Sequence, residues 1–317
     1  MKNFRDGLPT ILTIILLIST TSCNQTAVTP EAALTSIPTE TPAPTSTPRP
    51  TLEPGELERQ VDVDGLDREY VLHMPPGVNK DTPAPLVMMF HGLYTVALTQ
   101  SQTRFGDLSN ENGFILVYPK GIGASWNGGE CCGLAVQDNV DEAAFVRQIL
   151  SDLKTIVTVD PKRIYAAGFS SGAILTYRLA CEMSDVFAAI APVSGTLFFE
   201  PCQPDQKISV LHIHGLDDTT IPFAGGQSIE GAVPPVPPVE QGIETWAKLN
   251  GCSASPETSV EGAIHRTVYT DCQSNSTVEL ITIDGFDHGW PSPTGAGEKN
   301  FPATQTIWDF FAAHPKP

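Results

Sequence analysis

Basic residues are scarce in this chain. Its 18 Lys and Arg stand against 36 Asp and Glu, a formal net charge of −18 at pH 7. A surface of that sign repels phosphate, which excludes nucleic acid as a partner and excludes charge-driven docking on anionic lipid. The bland consequence of the acidity is solubility. Charged residues of both signs make up only 17% of the 317 positions, against 41% hydrophobic, so a large core is within reach. A long apolar run is also missing: Ile11 to Ile18 is too short to cross a bilayer as a helix. The cysteines lack metal-ligand spacing and no histidine cluster sits beside them, so no metal and no other cofactor is called for. There is no internal repeat.

What the N-terminus does contain is an export pattern. Lys2 and Arg5 precede the short apolar run, and Thr20-Thr21-Ser22 lead into Cys23. Small residues before such a cysteine resemble a bacterial lipoprotein cleavage site, with Cys23 lipidated and the lipid as the only membrane attachment. Cleavage to a free secreted protein is the alternative. Either way residues 1–23 read as an export signal and the mature protein is extracellular or held at the cell surface. Residues 24–58 are rich in Thr, Pro, Ser and Ala, with almost nothing to bury, and read as an extended spacer. The folded domain is expected over residues 59–317, as a monomer.

Within it, Gln60–Val63 and Arg68–His73 flank Asp64-Gly65 and predict a hairpin. Pro85–Phe90, Phe114–Tyr118, Arg163–Ala167, Phe187–Val193, Ile208–His214 and Thr277–Ile283 are apolar runs suited to strands buried on both faces of a parallel sheet. Asp160-Pro161 is expected to break the chain before one of them. Helices are expected over Asp141–Ile156, after Ser170, over Val239–Leu249 and over Ala303–Ala312, with Phe145, Ile149, Leu153 and Ile156 on one helical face. Alternation of this kind predicts an α/β fold: a mostly parallel sheet with helices on both faces and the opening hairpin as an antiparallel edge.

Strand, Gly168-Phe169-Ser170-Ser171-Gly172, helix is the setting of a nucleophile elbow. The turn is so tight that only small residues fit two positions either side of the nucleophile. It exposes the Ser170 hydroxyl and leaves the Ser171 N–H at a helix start, where it can face an anion. A serine hydroxyl needs a base and a group to orient that base. In this topology both should follow the serine, acid first, each on a loop after a strand. His288, in Asp284-Gly285-Phe286-Asp287-His288-Gly289-Trp290, is the one histidine in the last such loop, and Asp217 and Asp218 are adjacent candidates for the acid. His73 and His212 lie within strands and are expected to be packed.

These stretches, together with His91-Gly92, Trp126, Cys131-Cys132-Gly133, Asn139-Val140-Asp141, Ala191–Gly195 and His212-Ile213-His214-Gly215, resemble the α/β-hydrolase esterases grouped as polyhydroxybutyrate depolymerases and feruloyl esterases, in carbohydrate esterase family one. The resemblance covers about Val63 to the C-terminus. It implies that the acid is Asp218, in register with Ile221-Pro222, leaving Asp217 a neighbour and Asp287 a loop-stabilising residue. It implies an oxyanion hole formed by the backbone N–H groups of Ser171 and Leu93, with Tyr94 as the fallback for the second. Relatives often have further glycines after His-Gly, where this chain has Leu93-Tyr94-Thr95-Val96. Tyr94, Trp126 and Trp290 are expected to touch substrate, with packing of the loops as the bland alternative.

The function implied is an exported serine carboxylester hydrolase acting on a polymer-borne ester. Polymer-binding domains are common in the depolymerases and none is visible here, which tilts the expectation towards feruloyl or acetyl esters of plant polysaccharides. Polyester depolymerisation, acyl transfer on the same fold and a non-catalytic surface lipoprotein are the alternatives. Six cysteines besides Cys23, in an exported chain, allow three disulfides. Cys252 and Cys272 would staple the segment between a helix and a strand. Cys181 and Cys202, both at the bottom of the sheet, are expected to pair. Cys131 and Cys132 would then be left with each other, unless that second pairing is wrong.

Overall fold

Asp64 and Gly65 both take positive φ, 54° and 84°, the twist a two-residue hairpin turn requires. They join β1 (Gly55–Val63) to β2 (Leu66–Met74). This comes from a computed structural model that describes residues 54–93, 95–228, 234–253, 255–293 and 300–317. The export segment, Cys23, most of the spacer and Tyr94 lie outside the described residues. The first strand begins at Gly55, opposite Met74, so the paired region starts four residues before Arg59.

The apolar runs become β3 (Ala84–Phe90), β4 (Ile115–Pro119), β5 (Val159–Phe169), β6 (Ala189–Val193), β7 (Ser209–Gly215) and, after a second hairpin of β8 (Glu257–Glu261) and β9 (Ile264–Tyr269), β10 (Val278–Ile283). The sheet order is β1-β2-β4-β3-β5-β6-β7-β10-β9-β8. From β4 to β10 every pairing is parallel, and both margins are antiparallel. The C-terminal hairpin was not expected, nor was a β5 that continues through Pro161. The sheet accommodates that proline with a register skip: Ala84 faces Val159, whereas Leu86 already faces Ile164. Asp160 closes the looped-out turn by accepting from the Lys162 N–H at 2.9 Å and Arg163 Nε at 2.7 Å.

Helices α1 (Val96–Thr103), α2 (Phe105–Asn112), α3 (Gly133–Gln137), α4 (Glu142–Ile156), α5 (Ser171–Glu182), α6 (Val239–Asn250) and α7 (Ala303–Ala313) cover the sheet. Side chains alternate across a strand. Leu86, Met88 and Phe90 of β3 therefore join Phe145, Ile149 and Leu153 of α4, with α5 and α6, in one core layer. Val87 and Met89 join Phe105 of α2 and Ile307, Trp308 and Phe311 of α7 in the other. Asp141 caps α4 by accepting from the Ala144 N–H at 2.8 Å.

One buried ion pair ties this frame to the loop after β4. Arg68 Nη2 meets Glu142 Oε2 at 2.9 Å with both side chains fully buried, and the guanidinium lies over the Phe145 ring. The other Glu142 oxygen accepts from the Asn127 N–H. Disulfides join Cys181 to Cys202, Cys252 to Cys272 and Cys131 to Cys132. The first staples the end of α5, and the second closes the segment that holds the C-terminal hairpin.

Candidate active site

Ser170 stands between β5 and α5 with φ 55° and ψ −120°, a backbone region that costs a non-glycine residue about 1–3 kcal/mol. The neighbours explain how it is held. A Cβ on Gly168 would overlap the Gly172 carbonyl, and one on Gly172 would overlap the Phe90 carbonyl at the end of β3. The turn therefore packs backbone against backbone on both sides of the serine. The Ser170 N–H donates to the Val193 carbonyl of β6 at 3.0 Å, which fixes the elbow against the sheet.

His288 comes from the loop after β10. Its Nε2 lies 2.9 Å from Ser170 Oγ, and its Nδ1 lies 2.8 Å from Asp218 Oδ2. Asp218, from the loop after β7, is buried, whereas Asp217 beside it is exposed and its backbone N–H donates to the Phe286 carbonyl. The second oxygen of Asp218 accepts from the N–H groups of Thr220 at 2.9 Å and Ile221 at 2.7 Å. With one oxygen held by two backbone donors, the carboxylate is fixed so that the other meets the imidazole. Asp287 instead bridges its own loop and the loop after β7. It accepts from Thr219 and from the His288 N–H, and these backbone donors hold its carboxyl below the usual range.

The oxyanion candidates flank the serine. Ser171 opens α5 and is buried. On the other side, a Cβ on Gly92 would lie 3.3 Å from Ser170 Cβ, so the Gly92–Leu93 peptide runs past the nucleophile. His91 orients that peptide. Its Nε2 accepts from the Gly121 N–H at 2.9 Å, which leaves Nδ1–H to donate to the Gly92 carbonyl at 2.6 Å. The carbonyl and N–H of a trans peptide point in opposite directions, so the Leu93 N–H is turned away from the His91 ring. His91, not singled out from sequence beyond its place in His-Gly, is buried, and burial lowers its pKa.

Two expected substrate contacts are corrected. Trp126 is wholly buried: its indole N–H donates to the His91 carbonyl at 2.8 Å and its ring packs edge-on to Phe90. It braces the strand end beneath the oxyanion loop. Trp290 is also buried, with its N–H on Thr304 Oγ1 at 3.0 Å and its ring against Phe105 and Phe169. It lines a 210 Å³ cavity with Thr103, Leu108 and Pro302, a space that neither Ser170 nor His288 borders. Position on a top loop was legible in the sequence, but the partners of the two indole N–H groups were not. Tyr94 lies outside the described residues. Two larger cavities occupy the surface around the strand ends. One of 450 Å³ is bordered by His91, Thr95, Lys120 and Gly121. The other, of 480 Å³, is bordered by Leu197, Phe198, Phe199 and Val236.

His212 and His214, on the α5 side of β7, are fully buried, and burial holds both below the ordinary value of 6.5, His212 well below it. In the unfolded chain they would protonate near 6.5, so the unfolded state binds more protons as pH falls and the fold loses stability. Denaturant midpoints should therefore drop as pH is lowered through about 6.5, at up to roughly 1.4 kcal/mol per pH unit for each histidine. A flat midpoint between about pH 7 and about pH 5 would contradict the burial.

Comparisons with known proteins place the chain among esterases. The family model described as Esterase PHB depolymerase matches residues 68–223, a range that contains Ser170 and Asp218. Feruloyl esterase B of Piromyces equi is 29% identical over 233 residues, covering 70% of this chain and 42% of that protein. The chain thus spans less than half of that relative's length. NocK of Nocardia uniformis subsp. tsuyamanensis, a protein named as an esterase, is 30% identical over 286 residues, covering 80% of this chain and 81% of its own. Among solved structures, acetyl xylan esterase from Aspergillus awamori shares the fold with a TM-score of 0.56 at 17% identity, over 81% of this chain and 99% of that one.

Proposed function

Because the chain belongs to the α/β-hydrolase esterase family of the polyhydroxybutyrate depolymerases and feruloyl esterases, and so is a carboxylic ester hydrolase, we propose that it cleaves its ester through an acyl-enzyme on Ser170. The observation that carries this reading is the unbroken chain from Ser170 Oγ through His288 to Asp218, at 2.9 and 2.8 Å. His288 takes the Ser170 proton as the oxygen attacks the ester carbonyl. Asp218 holds the imidazole with its proton on Nδ1 and stabilises the imidazolium that forms. The N–H groups of Ser171 and Leu93 receive the developing oxyanion. His288 then returns the proton to the leaving alcohol. Water, activated by the same imidazole, releases the acid and frees Ser170.

On substrate, we read the ester as a feruloyl or acetyl group on a plant polysaccharide. Phe198 and Phe199 beside the 480 Å³ cavity give aromatic surface for a phenolic acid or a sugar ring. The protein works outside the cytoplasm, which three disulfides favour, as a monomer whose only membrane attachment is a lipid on Cys23. The test is turnover of methyl ferulate, an acetylated xylo-oligosaccharide and short hydroxybutyrate oligomers, each with and without an added acceptor alcohol. Preference for the first or second, giving free acid, is the expected result. Preference for the oligomers selects polyester cleavage, and ester transfer to the alcohol in place of acid selects an acyltransferase.

A further inference from the structure

Behind Asp218 lies a second run of hydrogen bonds that the ester mechanism does not use. Tyr177 on α5 places its hydroxyl 2.9 Å from His212 Nδ1. His212 Nε2 lies 3.0 Å from His214 Nδ1. His214 Nε2 lies 2.9 Å from the Ile221 carbonyl and 3.4 Å from Asp218 Oδ2. His212 and His214, two apart on β7, stack with ring centroids 5.2 Å apart and planes 10° from parallel. All three side chains are at most 1% exposed.

The direction of this run follows from its end. A carbonyl and a carboxylate only accept, so His214 Nε2 must carry a hydrogen. A neutral imidazole has one N–H, which leaves His214 Nδ1 a lone pair. His212 Nε2 must then donate, His212 Nδ1 must accept, and the Tyr177 O–H is the donor that starts the run. Burial favours the neutral form of both rings, so each carries a single N–H.

We propose that Tyr177, His212 and His214 are positioning residues that hold the Nε2–H tautomer of His214 and thereby set a buried N–H, donated to the Ile221 carbonyl, 3.4 Å from the carboxylate of Asp218. The inference rests on the proposed role of Asp218. In a site closed to water, that N–H is a fixed positive dipole end beside the acid. Together with the N–H groups of Thr220 and Ile221 it holds the carboxylate still. Were the tautomer reversed, a lone pair would face both Asp218 and the Ile221 carbonyl. The titratable groups facing the run are Tyr177 from α5, Asp218 from the loop after β7 and His288 from the loop after β10. Asp287 adjoins His288 and accepts its backbone N–H, while α6 presents Trp246 to Tyr177.

Two measurements test this. Long-range proton–nitrogen correlation spectra of the whole protein report imidazole tautomers without any turnover. They should show Nε2–H and a bare Nδ1 on both His212 and His214; a protonated Nδ1 on either ring overturns the proposal. That readout is separate from the esterase mechanism, which Ser170→Ala tests.

The second measurement is kinetic. Tyr177→Phe keeps the packing and removes one O–H. It should lower kcat by about tenfold, the worth of one buried hydrogen bond, with little change in KM. The acid limb of its kcat/KM profile should move to higher pH, because the His214 N–H is then held less firmly beside the carboxylate, which leaves more of its charge for the His288 imidazolium. His214→Leu should show the same change enlarged, and His214→Gln, whose amide N–H can reach the place of Nε2, should recover most of the loss. Equal losses in the Leu and Gln variants, or an acid limb unmoved in Tyr177→Phe, would reduce the run to a packing feature and overturn the proposal.

Discussion

Ser170→Ala should leave the protein folded and lower kcat towards methyl ferulate or its preferred ester by about five to six orders of magnitude. The change removes one oxygen. It leaves the elbow's backbone contacts, the Ser170 N–H bond to Val193 and the oxyanion donors in place, so KM should change little and the melting temperature should stay close to that of the parent. His288→Ala should cost a similar amount. The double variant should be no slower than either single one, because nucleophile and base act as a unit. Residual turnover above the buffer rate would measure what substrate binding and the oxyanion donors supply without a nucleophile. Full activity in Ser170→Ala would place the nucleophile elsewhere and sink the proposed mechanism.

Asp218→Asn should be nearly as damaging, about four orders of magnitude in kcat, for a reason that the surrounding backbone dictates. The N–H groups of Thr220 and Ile221 both point at Oδ1. An asparagine must therefore put its amide oxygen there and turn its NH2 towards His288. The imidazole Nδ1 then has to accept, its single hydrogen moves to Nε2, and that hydrogen faces Ser170 Oγ at the position where a lone pair is needed. Shape and packing survive, and the base is disabled. Comparing kcat with the thermal midpoint separates the two effects. A loss of activity matched by a loss of fold would argue that the carboxylate matters only for the loop.

Much of this was legible in the residues. Buried strands such as Ala84–Phe90 and Ile115–Pro119 are apolar on both faces, so composition alone marks them. The elbow was legible because its glycines answer a steric demand. The acid was a choice between neighbours, and the structure places one of them, Asp218, inside and the other outside. What was not legible depended on tertiary partners. Glu257–Glu261 and Ile264–Tyr269 have no strongly buried face, so no periodic signal announces that hairpin. Pro161 should end a strand, yet the sheet loops out Asp160–Arg163 and continues. Trp126 looked available because of its loop, and its burial follows from the His91 carbonyl it meets. The directed run from Tyr177 to His214 depends on a helix and a strand 35 residues apart in sequence, which no local pattern reveals.

The two margins of the sheet bear on how the folded protein meets other copies of itself. A row of unpaired backbone donors and acceptors on an outermost strand is a template on which another chain can grow. Here the outermost strands are β1 and β8. The first carries Glu56, Glu58, Arg59 and Asp62, and the second has Glu257 and Glu261 at its ends with every residue exposed. An incoming strand would have to bring its own side chains beside these carboxylates, in a molecule that is already strongly anionic. Growth by strand addition is thus discouraged at both ends, and the ten-stranded sheet is protected from becoming a seed for fibres at high concentration.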